Sequence, residues 1–273
     1  MPGAPSESAQ VVLVTGCSSG IGKEICEELG TAGMRVYGAS RSTCTPRLWT
    51  YQSMDVTDEA AVLAVVDEIV RREGRIDAVV TCAGISLAGS VEDTSLAEAQ
   101  RQLDTNFYGT VRVIRAVLPI MRKQRSGKLV VIGSIGGLIG LPYIAYYSAA
   151  KFALDGLVEA LRTEVEPFGI QATIVHPGDF DTQLGVNRTY SAQAQTQSAY
   201  RDAFEKRCAF YAAQENKAPP PKAVAHKVKK ILLLRSLPVR VIVGSPLEKL
   251  GVLAKALLPS RIFELVLRIA YAP

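Results

Sequence analysis

"LVVIGSIGGLIGLPYIAYYSAAK", residues 129–151, carries no charge before its last residue. Its uncharged length would be enough to cross a bilayer. Its content argues otherwise, because Gly133, Gly136, Gly137, Gly140, Pro142 and two serines interrupt it. "LVVI" suits a strand buried on both faces, which in a parallel sheet needs no polar alternation. The stretch therefore reads as strand, glycine-rich loop and helix start.

The same rhythm repeats on both sides of it. "VVLVTG" (11–16) is a first strand, and "CSSGIG" (17–22) opens a helical segment from Lys23 to Ala32. "RVYGAS" (35–40) is a second strand, and Glu59 to Arg72 has apolar residues at helical spacing. "DAVVTCAG" (77–84) is a third strand, and Ala97 to Lys123 a long helix that must tolerate Gly109 and Pro119. "GKLVVIGS" is the fourth strand, Tyr146 to Glu166 a long helix and "GIQATIVHPG" the fifth strand. Alternating short apolar strands and helices predict an α/β chain. The expected fold is a single-domain, Rossmann-like, doubly wound parallel sheet with helices on both faces.

That domain is expected over 11–245, after a loose tail at 1–10 and before a helical extension at 246–273. A polar insertion at 180–220 has Tyr200, Phe204, Cys208 and Tyr211 at helical spacing. It reads either as a lid walling the substrate or as a solvated helix packed on the body. "VRVIVGS" is a late strand, and two short amphipathic helices split by Pro259 end the chain.

Composition narrows the function. The chain has 273 residues, 48% hydrophobic and 21% charged, which is ordinary for a soluble globular protein. Its net charge is +5, but "HKVKK" is the nearest approach to a basic tract, so no nucleic-acid partner is expected. Five scattered cysteines without CxxC spacing argue against a disulfide framework and fit a reducing, cytoplasmic compartment. With two histidines and no HExxH, neither a metal site nor a Ser-His-Asp triad is expected. "MPGAPSESAQ" lacks the basic start and apolar run of a signal peptide.

Chemistry concentrates in two places. Thr15-Gly16-Cys17-Ser18-Ser19-Gly20-Ile21-Gly22 joins the first strand to the first helix. Glycines there let the backbone approach a pyrophosphate, and the helix N-terminus offers N–H groups and a positive dipole end. Tyr147 and Lys151, four apart, share one helix face.

The TGxxxGxG spacing and the Tyr147-Ser148-Ala149-Ala150-Lys151 run resemble the short-chain dehydrogenase/reductase family. Ser134, thirteen residues before Tyr147, stands where that family places its serine, and Asn106 in "LDTNFYG" matches its asparagine. "PGDFDT", Pro177 to Thr182, matches PGxxxT, and "MDVTD" puts Asp55 and Val56 at the adenine contact. The family's NNAG reads Thr81-Cys82-Ala83-Gly84 here, a departure that puts local stability in question rather than activity. The resemblance spans residues 11–182, and the extended C-terminus is similar to that of the hydroxysteroid and retinol dehydrogenase branch.

The resemblance implies a catalytic set of Asn106, Ser134, Tyr147 and Lys151. It implies cofactor contacts from Thr15, Gly16, Ser18, Ser19, Gly20, Ile21, Gly22, Arg41, Asp55, Val56, Cys82, Ala83, Gly84, Pro177, Gly178 and Thr182, with Tyr147 and Lys151 also touching the cofactor. Tyr147 would exchange a proton with the carbonyl or alcohol oxygen, Ser134 would hold that oxygen and Asn106 a relay water. Working near neutrality requires the phenol pKa to fall by roughly 3 units, about 4 kcal/mol. An ammonium at about 4 Å supplies that much at an effective dielectric of about 20. The second strand ends in Ser40-Arg41-Ser42 without a carboxylate, so Arg41 can pair with a 2′-phosphate. NADP(H) is expected over NAD(H).

Three readings follow. One is a reductase of bulky apolar ketones or aldehydes. Another is a dehydrogenase of a hydroxysteroid, retinol or similar lipid alcohol. The third is an idle dinucleotide sensor, which the intact catalytic set disfavours. A homodimer or homotetramer is expected. In the last two helices Leu247, Leu250, Leu253 and Leu257 form one apolar side, with Lys249 and Lys255 outside it. Arg261, Glu264 and Arg268 form a stripe opposite Ile262, Phe263, Val266 and Leu267. These faces either pack on the body or a second subunit, or make a peripheral membrane contact.

Overall fold

The computed structural model describes residues 9–196 and 198–270. The expected tail at 1–8 and the last residues of the extension, 271–273, lie outside the described residues. In chain order the elements begin β1 (Val11–Thr15), α1 (Gly20–Thr31), β2 (Arg35–Ser40), β3 (Thr50–Ser53) and α2 (Glu59–Glu73). They continue with β4 (Ala78–Thr81), β5 (Leu87–Ala88), α3 (Leu96–Leu103), α4 (Gly109–Gln124), β6 (Gly127–Ile132) and α5 (Ala145–Val165). Next come β7 (Ile170–Pro177), α6 (Gln183–Val186), β8 (Thr189–Tyr190), α7 (Arg201–Glu215) and α8 (Lys222–Leu233). The last are β9 (Arg240–Val243), α9 (Pro246–Leu257) and α10 (Ser260–Ala270).

Seven strands form one parallel sheet in the order β3-β2-β1-β4-β6-β7-β9. The order reverses between β1 and β4, which opens a crevice at their carboxyl ends. Successive side chains of a strand point to opposite faces, and the cores follow that alternation. Leu13, Val79, Leu129 and Val131 pack on one face with Val66, Ile69, Val117 and Leu154 from α2, α4 and α5. Val12, Val14, Val80 and Val130 pack on the other with Ile25, Leu29, Val228 and Ile231 from α1 and α8.

Besides β5 and α8, which the sequence reading does not name, differences concern β3 and the long helix. β3 went unread because "TYQS" is polar and sits at the sheet edge, where Thr50 and Ser53 face solvent. The long helix is α3 and α4 joined by a π-helical turn, Asp104–Tyr108, which carries Asn106. Gly109 is required just after that turn, because a Cβ there would lie 2.6 Å from Val56 Cγ2. Pro119 is tolerated because it and Arg115, whose carbonyl it cannot bond, are both exposed.

The insertion after β7 is tied to the body at its middle. β8 pairs with β5 in parallel, and Thr189 and Ser191 N–H donate to Ser86 and Ala88 carbonyls at 2.9 and 2.8 Å. α7 buries Phe204 and Tyr211 in a third apolar cluster with Ala88, Ile144 and Ala194. α7 thus packs one face on the body and leaves the other exposed.

Gly22→Ala tests the turn between β1 and α1, since its Cβ would collide with the Gly16 carbonyl. Overpacking against backbone should lower stability by about 1–3 kcal/mol and abolish dinucleotide binding. Thermal melts and NADPH titration of the variant check both.

Candidate active site

The crevice is built from the glycine turn upward. Gly16 has φ +73, and a Cβ on it would lie 2.8 Å from Ala83 Cα, so glycine alone lets the β1 and β4 loops touch. Thr15 holds that contact from below. Its buried Oγ1 accepts from Cys82 N–H at 3.0 Å and Ala83 N–H at 3.1 Å. The departure from NNAG therefore leaves the junction bonded. Ser19 caps α1 with extended backbone but no side-chain bond, and the first turn carries no acidic residue. Those N–H groups and the dipole end remain open to an anion.

Among the other expected cofactor residues, Gly20 meets Thr182 and Arg41 stands by Asp55. A Cβ on Gly20 would meet Thr182 Cβ at 3.3 Å, so the Pro177–Thr182 segment closes against the glycine turn. Arg41 is exposed, 4.0 Å from Asp55. Burial tends to raise Asp55, but bonds from Thr57 and the charges of Arg41 and Arg112 win and hold it low. The cradle fits a dinucleotide, with the α1 terminus for the pyrophosphate and Arg41 and Asp55 for the adenosine end. When bound, the nicotinamide supplies the hydride.

α5 delivers the chemistry. Tyr147 and Lys151 lie on one face, turned to the end of β6, where Ser134 follows the strand. Lys151 is buried, and its Nζ donates to the Ile132 carbonyl at 2.8 Å. Burial pushes its ammonium down to about 8. Burial likewise raises the Tyr147 phenol, and the Ser134 hydroxyl bond and the Arg188 charge only partly oppose it. The sequence argument made Lys151 the group that depresses this phenol. Here Lys151 Nζ stands 5.8 Å from the ring centre and burial dominates. The phenol is thus held protonated near neutrality, the form that donates to a carbonyl oxygen. Ser134 Oγ accepts from Gly136 N–H at 3.0 Å, which leaves its own hydrogen to donate.

Asn106 is fully buried, and both ends of its amide bond one residue. It accepts from Ile85 N–H at 2.8 Å and donates to Ile85 O at 2.9 Å. Gln102, unread in the sequence, donates to the same carbonyl at 2.7 Å and accepts from Leu87 N–H at 2.8 Å. Together they fix the strand that anchors the insertion after β7. Sequence reasoning also missed Arg188, whose buried side chain bonds Ser86 Oγ at 3.2 Å, pairs with Glu215 and lies over Tyr211. It missed Glu248, which accepts from Asp179 N–H at 2.6 Å and so seats α9 over the loop after β7. Their tertiary partners are far away in the chain; of these residues Glu248 carries a local signal, the Ser245-x-x-Glu248 capping box that opens α9. Among the described residues no group of three or more His, Cys, Asp or Glu could hold a metal, and no helix is long and apolar enough to cross a membrane.

A parallel sheet switching direction above a glycine cradle, with Ser134, Tyr147 and Lys151 at its carboxyl edge, defines a dinucleotide-linked oxidoreductase. The chain belongs to the short-chain dehydrogenase family, whose model, described as short chain dehydrogenase, matches residues 10–193. It acts on the alcohol/carbonyl couple with a nicotinamide dinucleotide, as that family does. It is 37% identical over 265 residues to a 3-ketodihydrosphingosine reductase of Bacteroides thetaiotaomicron, covering 96% of this chain and 98% of the relative. It is 38% identical to 17-beta-hydroxysteroid dehydrogenase type 1 of Homo sapiens, over 63% of this chain and 57% of that one. A crystal structure of a short-chain dehydrogenase from Streptomyces avermitilis superposes with a TM-score of 0.81 at 32% identity, covering 97% of each chain.

Lys151 binds its proton less tightly in the folded chain than in the unfolded one. The burden of its charge is full below pH 8 and is relieved as pH rises from about 8 toward 10.5. Lys151→Met should therefore abolish turnover yet stabilise the fold at pH 7. The gain is roughly 3 kcal/mol from the ionisation, less about 1 kcal/mol for the bond lost at Ile132. Urea melts across pH 7–10 should show that gain fading above pH 8.

Proposed function

We propose that the protein is an NADP(H)-dependent reductase of bulky apolar ketones or aldehydes, with Tyr147 as proton donor. One observation carries this reading. Tyr147 packs against the third apolar cluster, beside Leu141, Tyr143, Cys208 and Phe210 and the buried Phe204 and Tyr211. A proton donor walled by aromatic and aliphatic side chains favours a substrate with large apolar surface. The name of the Bacteroides relative is in keeping with reduction of a lipid-derived ketone. Arg41 beside the adenosine end, with no carboxylate closing β2, supports NADP(H) over NAD(H).

The last two helices extend the proposal. Leu247, Leu250, Leu253 and Leu257 of α9 and Ile262, Leu265, Val266 and Ile269 of α10 are all exposed, while Phe263 is buried. Phe263, with Lys255 Nζ 5.1 Å from its ring centre, is thus covered, and two apolar stripes are left outward. Exposed Lys249, Lys255, Arg261 and Arg268 outnumber exposed Glu264, which suits an anionic lipid surface. In this proposal the enzyme works in the cytoplasm, and its helices rest on that surface as the substrate arrives.

Tyr147→Phe should abolish carbonyl reduction while leaving NADPH affinity within about twofold; near-normal turnover would end the proton-donor assignment. Arg41→Asp should turn the kcat/KM preference from NADPH toward NADH, and an unchanged ratio would show that Arg41 reads no phosphate. In a substrate panel, bulky apolar ketones should exceed small polar ones. Leu250→Glu with Ile262→Glu should release the protein from anionic phospholipid vesicles. If those substitutions instead dissociate a homodimer or homotetramer, the stripes are a subunit interface.

A further inference from the structure

The mechanism leaves one fully buried titratable side chain unused. His176, near the end of β7, is 0% exposed, yet both ring nitrogens are engaged. Nδ1 lies 2.8 Å from the Ser134 carbonyl oxygen and Nε2 lies 3.1 Å from Asp155 Oδ1. Asp155 is gripped in turn by Arg240 of β9, with Nε 3.1 Å from Oδ1 and the second arm on Oδ2. A Cβ on residue 133 would lie 2.8 Å from Nδ1, so Gly133 is what lets the ring reach Ser134.

The chain from Ile132 to Ser134 is tethered at three successive residues. Lys151 Nζ donates to the Ile132 carbonyl, Gly133 N–H donates to Val175 O at 2.7 Å, and His176 meets the Ser134 carbonyl. Tyr147, Lys151 and Asp155 are spaced four apart on α5 and therefore share a face. One helix thus sets the phenol directly and, through His176, the peptide that carries the serine hydroxyl. The distance between the two groups meeting the substrate oxygen is fixed by a closed loop of bonds. A carbonyl and a carboxylate can only accept, so Nδ1 and Nε2 must each carry a proton to bond Ser134 and Asp155, a charge that burial of the ring opposes.

We propose that His176, braced by Asp155 and Arg240, is a positioning residue that holds Ser134 in register with Tyr147 for carbonyl reduction. The inference rests on the reductase reading above. It differs from a plain packing role in one consequence: the effect on turnover passes through the Ser134 hydroxyl.

The experiment is a double-mutant cycle on the full chain with NADPH and a bulky ketone. His176→Leu removes both ring bonds and keeps much of the volume. Misplacing a reacting group by about 1 Å can cost about 100-fold, so kcat should fall between about 10- and 100-fold. The NADPH dissociation constant, read by fluorescence without turnover, should stay within about twofold. In a Ser134→Ala background the same change should lower kcat further by less than about twofold. Asp155→Ala repeats the test should His176→Leu fail to fold, and Asp155→Asn should recover most of that loss. Its amide oxygen, standing where Oδ1 stands, still accepts from Nε2–H and from Arg240 Nε. Equal losses with and without the Ser134 hydroxyl, or an unchanged kcat in folded His176→Leu, would overturn the positioning role. An inactive wild type would overturn the reductase reading instead.

Discussion

The bond from Lys151 Nζ to the Ile132 carbonyl ties the catalytic helix to the sheet, and the site depends on it. A buried ammonium is costly unless its protons are taken, and here the acceptor is the last carbonyl of β6. That carbonyl is available because the strand ends there and the chain turns at Gly133. With α5 held so, Tyr147 stands over the carboxyl edge of the sheet. The same burial that loosens the lysine's proton tightens the tyrosine's. One dry environment thus gives a weakly held cation and a firmly protonated phenol side by side.

Everything polar in the chemistry gathers at that edge because parallel strands all end there. Side chains along β1, β4, β6 and β7 alternate between two apolar cores, so within the sheet little remains for function. At the strand ends the backbone must find other partners. Thr15 supplies them for the β4 loop, Asn106 and Gln102 for the segment around Ile85, and His176 for Ser134. The cradle is rigid because side chains pin its loops, and each pin reaches across from a neighbouring element.

The segment after β7 adds an apolar wall to the site through the cluster of Phe204 and Tyr211 against which Tyr147 packs. It is fastened twice, through the β5–β8 backbone pairing and through Arg188, which spans Ser86 and Glu215.

Short-range patterns carried most of the fold. Apolar strand runs, the glycine turn between β1 and α1, and Tyr147 and Lys151 one helical turn apart depend on residues close in the chain, and all were legible. "TYQS" was not, because an exposed edge strand has no burial to mark it. The π-helical turn at Asn106 was not, because the bonds of its buried side chain go to Ile85, outside the helix and 21 residues away. The helical amphipathy of α9 was plain in the sequence, but its direction was not. Glu248 turns that helix by accepting from Asp179 N–H, 69 residues earlier in the chain, and the leucine stripe faces out as a result. The sequence by itself determined which residues repeat, and hence the elements and the reacting groups they carry. Only the tertiary structure decided which partner each distant side chain meets, since a hydrogen bond across the fold leaves no period in the chain.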